Sequence, residues 1–168
     1  MQQHIEGQRL ELIDGDLIDK TRQSPPRAYV IQVLGAILGA AFGPRLRTQL
    51  PIEPAPDERE WSLPEPDLAV VAEFDPRWST QHPTGPDTVL VVEVADTTLR
   101  HDASLKRDLY ARARVPEYWI VDIPGRCAIV HRRPEAGVCR EATTHESDSS
   151  IAPACEPNAI VALSYLLP

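Results

Sequence analysis

Cysteine is scarce in this chain: Cys127, Cys139 and Cys155 are the three in 168 residues. The number is odd, the spacings are wide and no CxxC pair occurs. That excludes a zinc knuckle and a thioredoxin-type motif and argues against a disulfide scaffold. A reducing cytoplasm is the compartment this usage implies. Positive charge is also in short supply, with 17 Lys and Arg against 25 Asp and Glu and a formal net charge of −8. Such a chain does not coat nucleic acid by bulk electrostatics. It can still act on phosphodiesters, because a carboxylate-rich metal site itself adds negative charge. The opening residues lack a charged stretch followed by an apolar core, so a signal peptide is not expected. The longest apolar run, 28–42, is broken by Gln32 and two glycines and is short for a bilayer span. There is no internal repeat and no long low-complexity linker.

What the chain has in quantity is proline, 17 residues, which implies many short elements and stiff connections. The length suits one domain over residues 1–168 with a real core. Residues 9–18 alternate around Asp14-Gly15 as a β-hairpin. Ser24-Pro25 opens a helix with an apolar stripe from Val30 to Phe42, and Gly43-Pro44 stops it. Residues 45–52 alternate weakly as a strand, and residues 53–64 and 74–87 read as loops. Residues 67–72 are a buried strand. The Val89-Leu90-Val91-Val92 run marks residues 88–94 as a central strand covered on both faces. A helix follows from about His101 to Arg114, capped within Asp96-Thr97-Thr98. Residues 117–123 form a third core strand. Turn signals at Pro124-Gly125 and Glu135-Ala136-Gly137 imply short antiparallel strands, with a polar loop over 143–150 and a last strand near 159–163. The order gives an α/β class with a mixed sheet.

Chemistry concentrates between Asp67 and Lys106. Asp67 starts a buried strand, and Glu93 lies among valines near the end of the next. An ionised carboxylate in that setting is costly unless it is paired or bound to metal. Strand alternation puts Glu93 on the face of Val91 and Ala95. Two carboxylates on adjacent strands are able to converge on one cation, and hard oxygen ligands favour Mg²⁺ or Mn²⁺. Lys106 shares a helix face with Asp102 and Tyr110. Its ammonium is suited to stabilise a phosphorane-like transition state or to position water.

Several stretches together resemble a known family: Pro66-Asp67-Leu68-Ala69-Val70-Val71, Val91-Val92-Glu93-Val94, Asp102 through Lys106 to Tyr110, and Val115 through Asp122. They are similar to the Uma-type family of restriction endonucleases in the PD-(D/E)XK superfamily. Leu10-Glu11-Leu12-Ile13-Asp14-Gly15 looks like its N-terminal motif. The resemblance spans roughly residues 9–163. It implies a restriction-endonuclease-like core, a mixed β-sheet flanked by helices, with an N-terminal β-hairpin. It implies Asp67 and Glu93 as metal ligands, with Glu11 joining them. The superfamily's usual lysine would fall on Ala95 and is missing there, and Lys106 resembles the migrated lysine of this family. A histidine frequent at the start of the family's first long helix is replaced here by Pro26 and Arg27.

Each residue also has a plainer reading. Asp67 could cap the start of its strand, Glu93 could pair with an arginine, and Lys106 could be solvated. Asp102 suits the helix dipole, and Tyr110 suits packing. Tyr118 and Trp119 read as core or interface before they read as a base-stacking platform. The histidines at 82, 101, 131 and 145 lack ligand spacing and read as surface residues. Arg126, Arg132 and Arg133 form either a phosphate-binding edge or a charged edge strand. The resulting expectation is a cytoplasmic, Mg²⁺-dependent endonuclease acting on DNA. The apolar first helix, with its small residues, suggests a homodimer, which two-fold cleavage of a duplex would also favour. The alternatives are a catalytically inactive nucleic-acid-binding or protein-interaction module on the same fold, and a phosphodiesterase acting on RNA or another phosphate ester.

Overall fold

The computed structural model describes residues 10–20, 23–96 and 99–167, with the backbone alone at 99–103. The hairpin forms as the turn residues require. Strand β1 (Leu10–Ile13) pairs with β2 (Asp16–Asp19) in the register Glu11 opposite Ile18. Asp14 and Gly15 both take positive φ, at 49° and 87°, the conformation of a type I′ turn.

Helix α1 (Pro25–Phe42) starts where Ser24 accepts a hydrogen bond from the Arg27 amide and ends at Gly43, φ 55°. Its buried residues Val30, Ile31, Leu34, Leu38 and Phe42 pack on one face of the sheet. Gly35 and Gly39 lie close to Leu68 and Leu46, so the small residues of this helix do serve its approach to the sheet.

The main sheet has six strands in the order β3-β4-β5-β6-β7-β8. They are Leu46–Thr48, Leu68–Val71, Thr88–Ala95, Glu117–Asp122, Cys127–Glu135 and Val138–Glu146. Strands β5 and β6 are parallel, and every other neighbouring pair is antiparallel. The parallel pair requires a crossover, which helix α2 (Leu99–Arg112) supplies on the face opposite α1. The expected mixed sheet flanked by helices is therefore present. Strands β4, β5 and β6 are buried on both faces, which is why they read as continuous apolar runs. Val92, Val94, Trp119 and Val121 face α1, whereas Val91, Tyr118 and Ile120 face α2 with Leu109 and Tyr110.

Four expectations need correction. The weak strand over 45–52 shrinks to three residues, because Gly43–Arg45 forms a 3-10 turn before it and Gln49 takes a positive φ of 53° after it. The first strands after Pro124 are not short: β7 and β8, nine residues each, form a hairpin turning at Ala136 and Gly137. Five of the eight residues of the 143–150 tract are strand rather than loop. Strand β8 is exposed along most of its length, so no buried face imposed an apolar alternation to be read. His131 is buried rather than superficial, stacked on Tyr118 at a centroid distance of 5.8 Å.

Tyr118 and Trp119 are core residues. Arg132 pairs with buried Glu117, and Arg133 pairs with Glu141 across the hairpin. Of the three residues expected to supply the α2 cap, Thr97 and Thr98 fall outside the described residues, as do the side chains of His101 and Asp102, while Asp96 accepts a hydrogen bond from the Ser24 hydroxyl. A short pair, β9 (Ser150–Ile151) and β10 (Val161–Ala162), and the one-turn helix α3 (Leu163–Leu166) close the α1 side.

Candidate active site

Antiparallel pairing of β4 with β5 puts the start of one strand beside the end of the other, with Leu68 opposite Val92. Asp67 therefore arrives next to Glu93 although 26 positions separate them. The Asp67 carboxylate accepts the Val94 amide at 2.8 Å through Oδ2 and the Arg27 guanidinium at 2.7 Å through Oδ1. Arg27 also donates to the Val94 carbonyl. The first turn of α1 is thus fixed to the end of β5. Arg27 stands close to where the family's histidine was expected, and it contacts Asp67 directly.

Glu93 points to the α2 side. Its Oε1 accepts Lys106 Nζ at 2.9 Å and the Tyr110 hydroxyl at 3.0 Å. Lys106 and Tyr110 are one helical turn apart, so a single face of α2 reaches both. Glu11 enters from the hairpin. Its Oε1 accepts the Glu65 amide, and its Oε2 forms an ion pair with Lys106 Nζ at 2.7 Å. All four residues expected at the site, Glu11, Asp67, Glu93 and Lys106, are brought together and buried.

Lys20 completes the cluster. Its Nζ lies 3.8 Å from Glu11 Oε2, from Asp67 Oδ1 and from Glu93 Oε2. Three carboxylates from three separate elements thus surround one ammonium, with a second ammonium and a guanidinium alongside.

The electrostatics follow from crowding in a buried place. Burial and then repulsion by Glu93 raise the pKa values of Glu11 and Asp67 above the ordinary carboxylate range, and the nearby cations do not cancel this. Burial pushes Glu93 upward too, but Lys106 and Lys20 overcome it and hold the group below its usual value. Burial alone would lower Lys106; Glu93 and Glu11 outweigh it and raise its pKa. The Tyr110 and Tyr118 hydroxyls are raised well above their usual value, first by burial and then by Glu93. They stay protonated near neutrality.

Compared with known families, the sequence matches Uma2, described as "Putative restriction endonuclease", over residues 2–164. The chain belongs to the Uma2 family. A crystal structure described as a putative nuclease belonging to DUF820, from Anabaena variabilis, shares its fold. The TM-score is 0.70 at 15% identity, over 94% of this chain and 88% of that one. Among curated proteins no match is found.

A restriction-type member of Uma2 implies a divalent metal, so the donor set bears on whether one fits. In kind it does. Three carboxylates offer hard oxygen donors to one point, and that point already lies beside a positive charge, the Lys20 ammonium. Glu11 Oε2 is buried, and its close contact is the Lys106 ammonium at 2.7 Å. In spacing, the oxygens form a wide ring around an ammonium. Among the described residues no three His, Cys, Asp or Glu side chains already stand close enough to grip an ion.

Two participants were missed by sequence reasoning. Lys20 had a usable signal: the hairpin register sets Glu11 opposite Ile18, and strand alternation puts Lys20 on that same face. Arg27 was visible only as a missing histidine. Tyr110, read as packing, is packed and also donates to Glu93.

Proposed function

We propose that this Uma2 protein is a divalent-metal-dependent endonuclease that hydrolyses phosphodiester bonds in DNA. One observation carries the reading: Glu11, Asp67 and Glu93 converge on a single cation position, with Lys106 2.9 Å from Glu93. In this reading Asp67 and Glu93 hold Mg²⁺ or Mn²⁺ with support from Glu11. When bound, the ion supplies an activated water and offsets charge on the phosphate oxygens. Lys106 keeps Glu93 ionised and orients it together with Glu11. Its ammonium is also the chain's own cation for developing charge on a phosphate oxygen. Arg27 and the Val94 amide hold Asp67 in register.

Cleavage of duplex DNA, single-stranded DNA and RNA in Mg²⁺, Mn²⁺ or EDTA tests the proposal, with Asp67→Asn and Glu93→Gln compared at matched folding. The expected result is metal-dependent cleavage of DNA that both variants lose. Cleavage that persists in Glu93→Gln, or no cleavage by the parent protein with any metal, would overturn it. A homodimer belongs to the same proposal. The outer side of α1 leaves Tyr29 exposed and Val33 and Ile37 only partly covered, next to exposed Tyr165. Light scattering should give twice the chain mass.

One observation favours a second reading, a catalytically inactive binding module. Lys20, Arg27 and Lys106 match the three carboxylates charge for charge. A cluster neutral by its own residues needs no metal to fold. In that case calorimetry would detect no binding of Mg²⁺ or Mn²⁺.

A further inference from the structure

The two ammonium groups of the cluster are held differently. Lys106 Nζ contacts carboxylate oxygens at 2.7 and 2.9 Å, with α2 behind it. Lys20 Nζ sits in the middle of the three carboxylates yet stays 3.8 Å from each. Its direct hydrogen bond goes to the neutral carbonyl of Glu65 at 2.5 Å. Moving Lys106 breaks two close ion pairs. Moving Lys20 breaks one hydrogen bond and a diffuse attraction. Lys20 is also the first residue beyond β2, on a flexible four-carbon stem that carries a compact charge.

The spacing explains what Lys20 does there. Mg²⁺ binds oxygen at about 2.0–2.1 Å in near-octahedral geometry. Each of the three oxygens would therefore move inward by roughly 1.7 Å to coordinate an ion placed where Nζ now stands. That contraction and the ammonium cannot coexist, since a divalent ion and Lys20 compete for the same three negative oxygens. With neither cation present, Lys106 and Arg27 would face three buried carboxylates, leaving one negative charge unbalanced.

Resting on the metal-dependent reading above, we propose that Lys20 is a tethered cation that fills the metal position in the metal-free protein, and that a divalent ion must displace it to bind. The site is thereby kept folded and neutral without metal, and metal affinity is set by a residue that is not a ligand. The same competition predicts a chain that binds divalent ions weakly until the Lys20 side chain swings away.

Calorimetric titration with Mn²⁺ tests this on the full chain, using the parent, Lys20→Met, Lys20→Gln and Lys20→Met/Glu93→Gln, with thermal midpoints recorded in EDTA and in Mn²⁺. Lys20→Gln keeps a donor for the Glu65 carbonyl without the charge, in case the methionine variant folds poorly. Both single variants should bind Mn²⁺ at least about tenfold more tightly than the parent. Both should melt lower than the parent in EDTA and gain more on adding Mn²⁺. The double variant should lose the tight binding. Equal or weaker binding by both single variants, with binding still dependent on Glu93, would overturn the displacement and leave the metal site standing. No binding by any variant at millimolar Mn²⁺ would overturn the metal site itself, and the displacement with it.

Discussion

Replacing Lys106 by methionine gives the sharpest stability test of the cluster. The substitution keeps the apolar stem and deletes a charge lying 2.7 Å from Glu11 and 2.9 Å from Glu93, on a side chain only 8% exposed. Breaking a buried ion pair from one side typically costs about 3–5 kcal/mol, because the other charge stays behind. For a chain of this length about 2–4 °C of melting temperature follows each kcal/mol, so the expected drop is roughly 6–20 °C near neutral pH. The pH dependence has a definite sign. In the parent protein Glu93 is held below its ordinary value, despite burial, by Lys106 and Lys20. Its stabilisation is present above the unfolded pKa and is lost as pH falls through the folded one. Without Lys106, burial dominates and Glu93 moves upward. Its charge then opposes folding above the unfolded value, and protonation relieves this in acid. The deficit of Lys106→Met should therefore be largest near pH 7.5 and shrink toward pH 4–5. Urea unfolding at both pH values measures it. A deficit under about 1 kcal/mol at pH 7.5, or one that grows in acid, would refute the reasoning.

Tyr110→Phe removes the hydroxyl that donates to Glu93 at 3.0 Å. It should cost about 1.5–3 kcal/mol, as expected for a hydrogen bond to a charged group; an unchanged urea midpoint would count against that bond. Gly85→Ala should destabilise by about 3 kcal/mol or more, because the new Cβ would fall 1.8 Å from the Ala113 carbonyl oxygen behind α2. A denaturation midpoint equal to the parent's would mean that this backbone contact is not made.

Much of the site was legible because its signals are local. Glu93 among valines announces a cost that something must offset. The Lys106 and Tyr110 spacing announces one helix face. The Asp14-Gly15 turn sets the hairpin register and hence the side on which Glu11 projects. Lys20 was open to the same argument and was missed, because a lysine just past a strand reads as solvated unless the opposite strand is counted residue by residue. Strand β8 was illegible for a different cause: a strand wet along most of its length has no apolar period to display.

Local covalent and periodic constraints determined which segments become the hairpin, helices α1 and α2 and the three core strands, and those act over a few residues. Only the tertiary structure decided that β4 runs antiparallel to β5 while β6 runs parallel to it. That choice brings Asp67 to Glu93, hangs Lys106 over both Glu93 and Glu11, and leaves Lys20 in the middle. Charges so far apart along the chain interact strongly only once the fold has removed the water between them, and no run of residues carries that information.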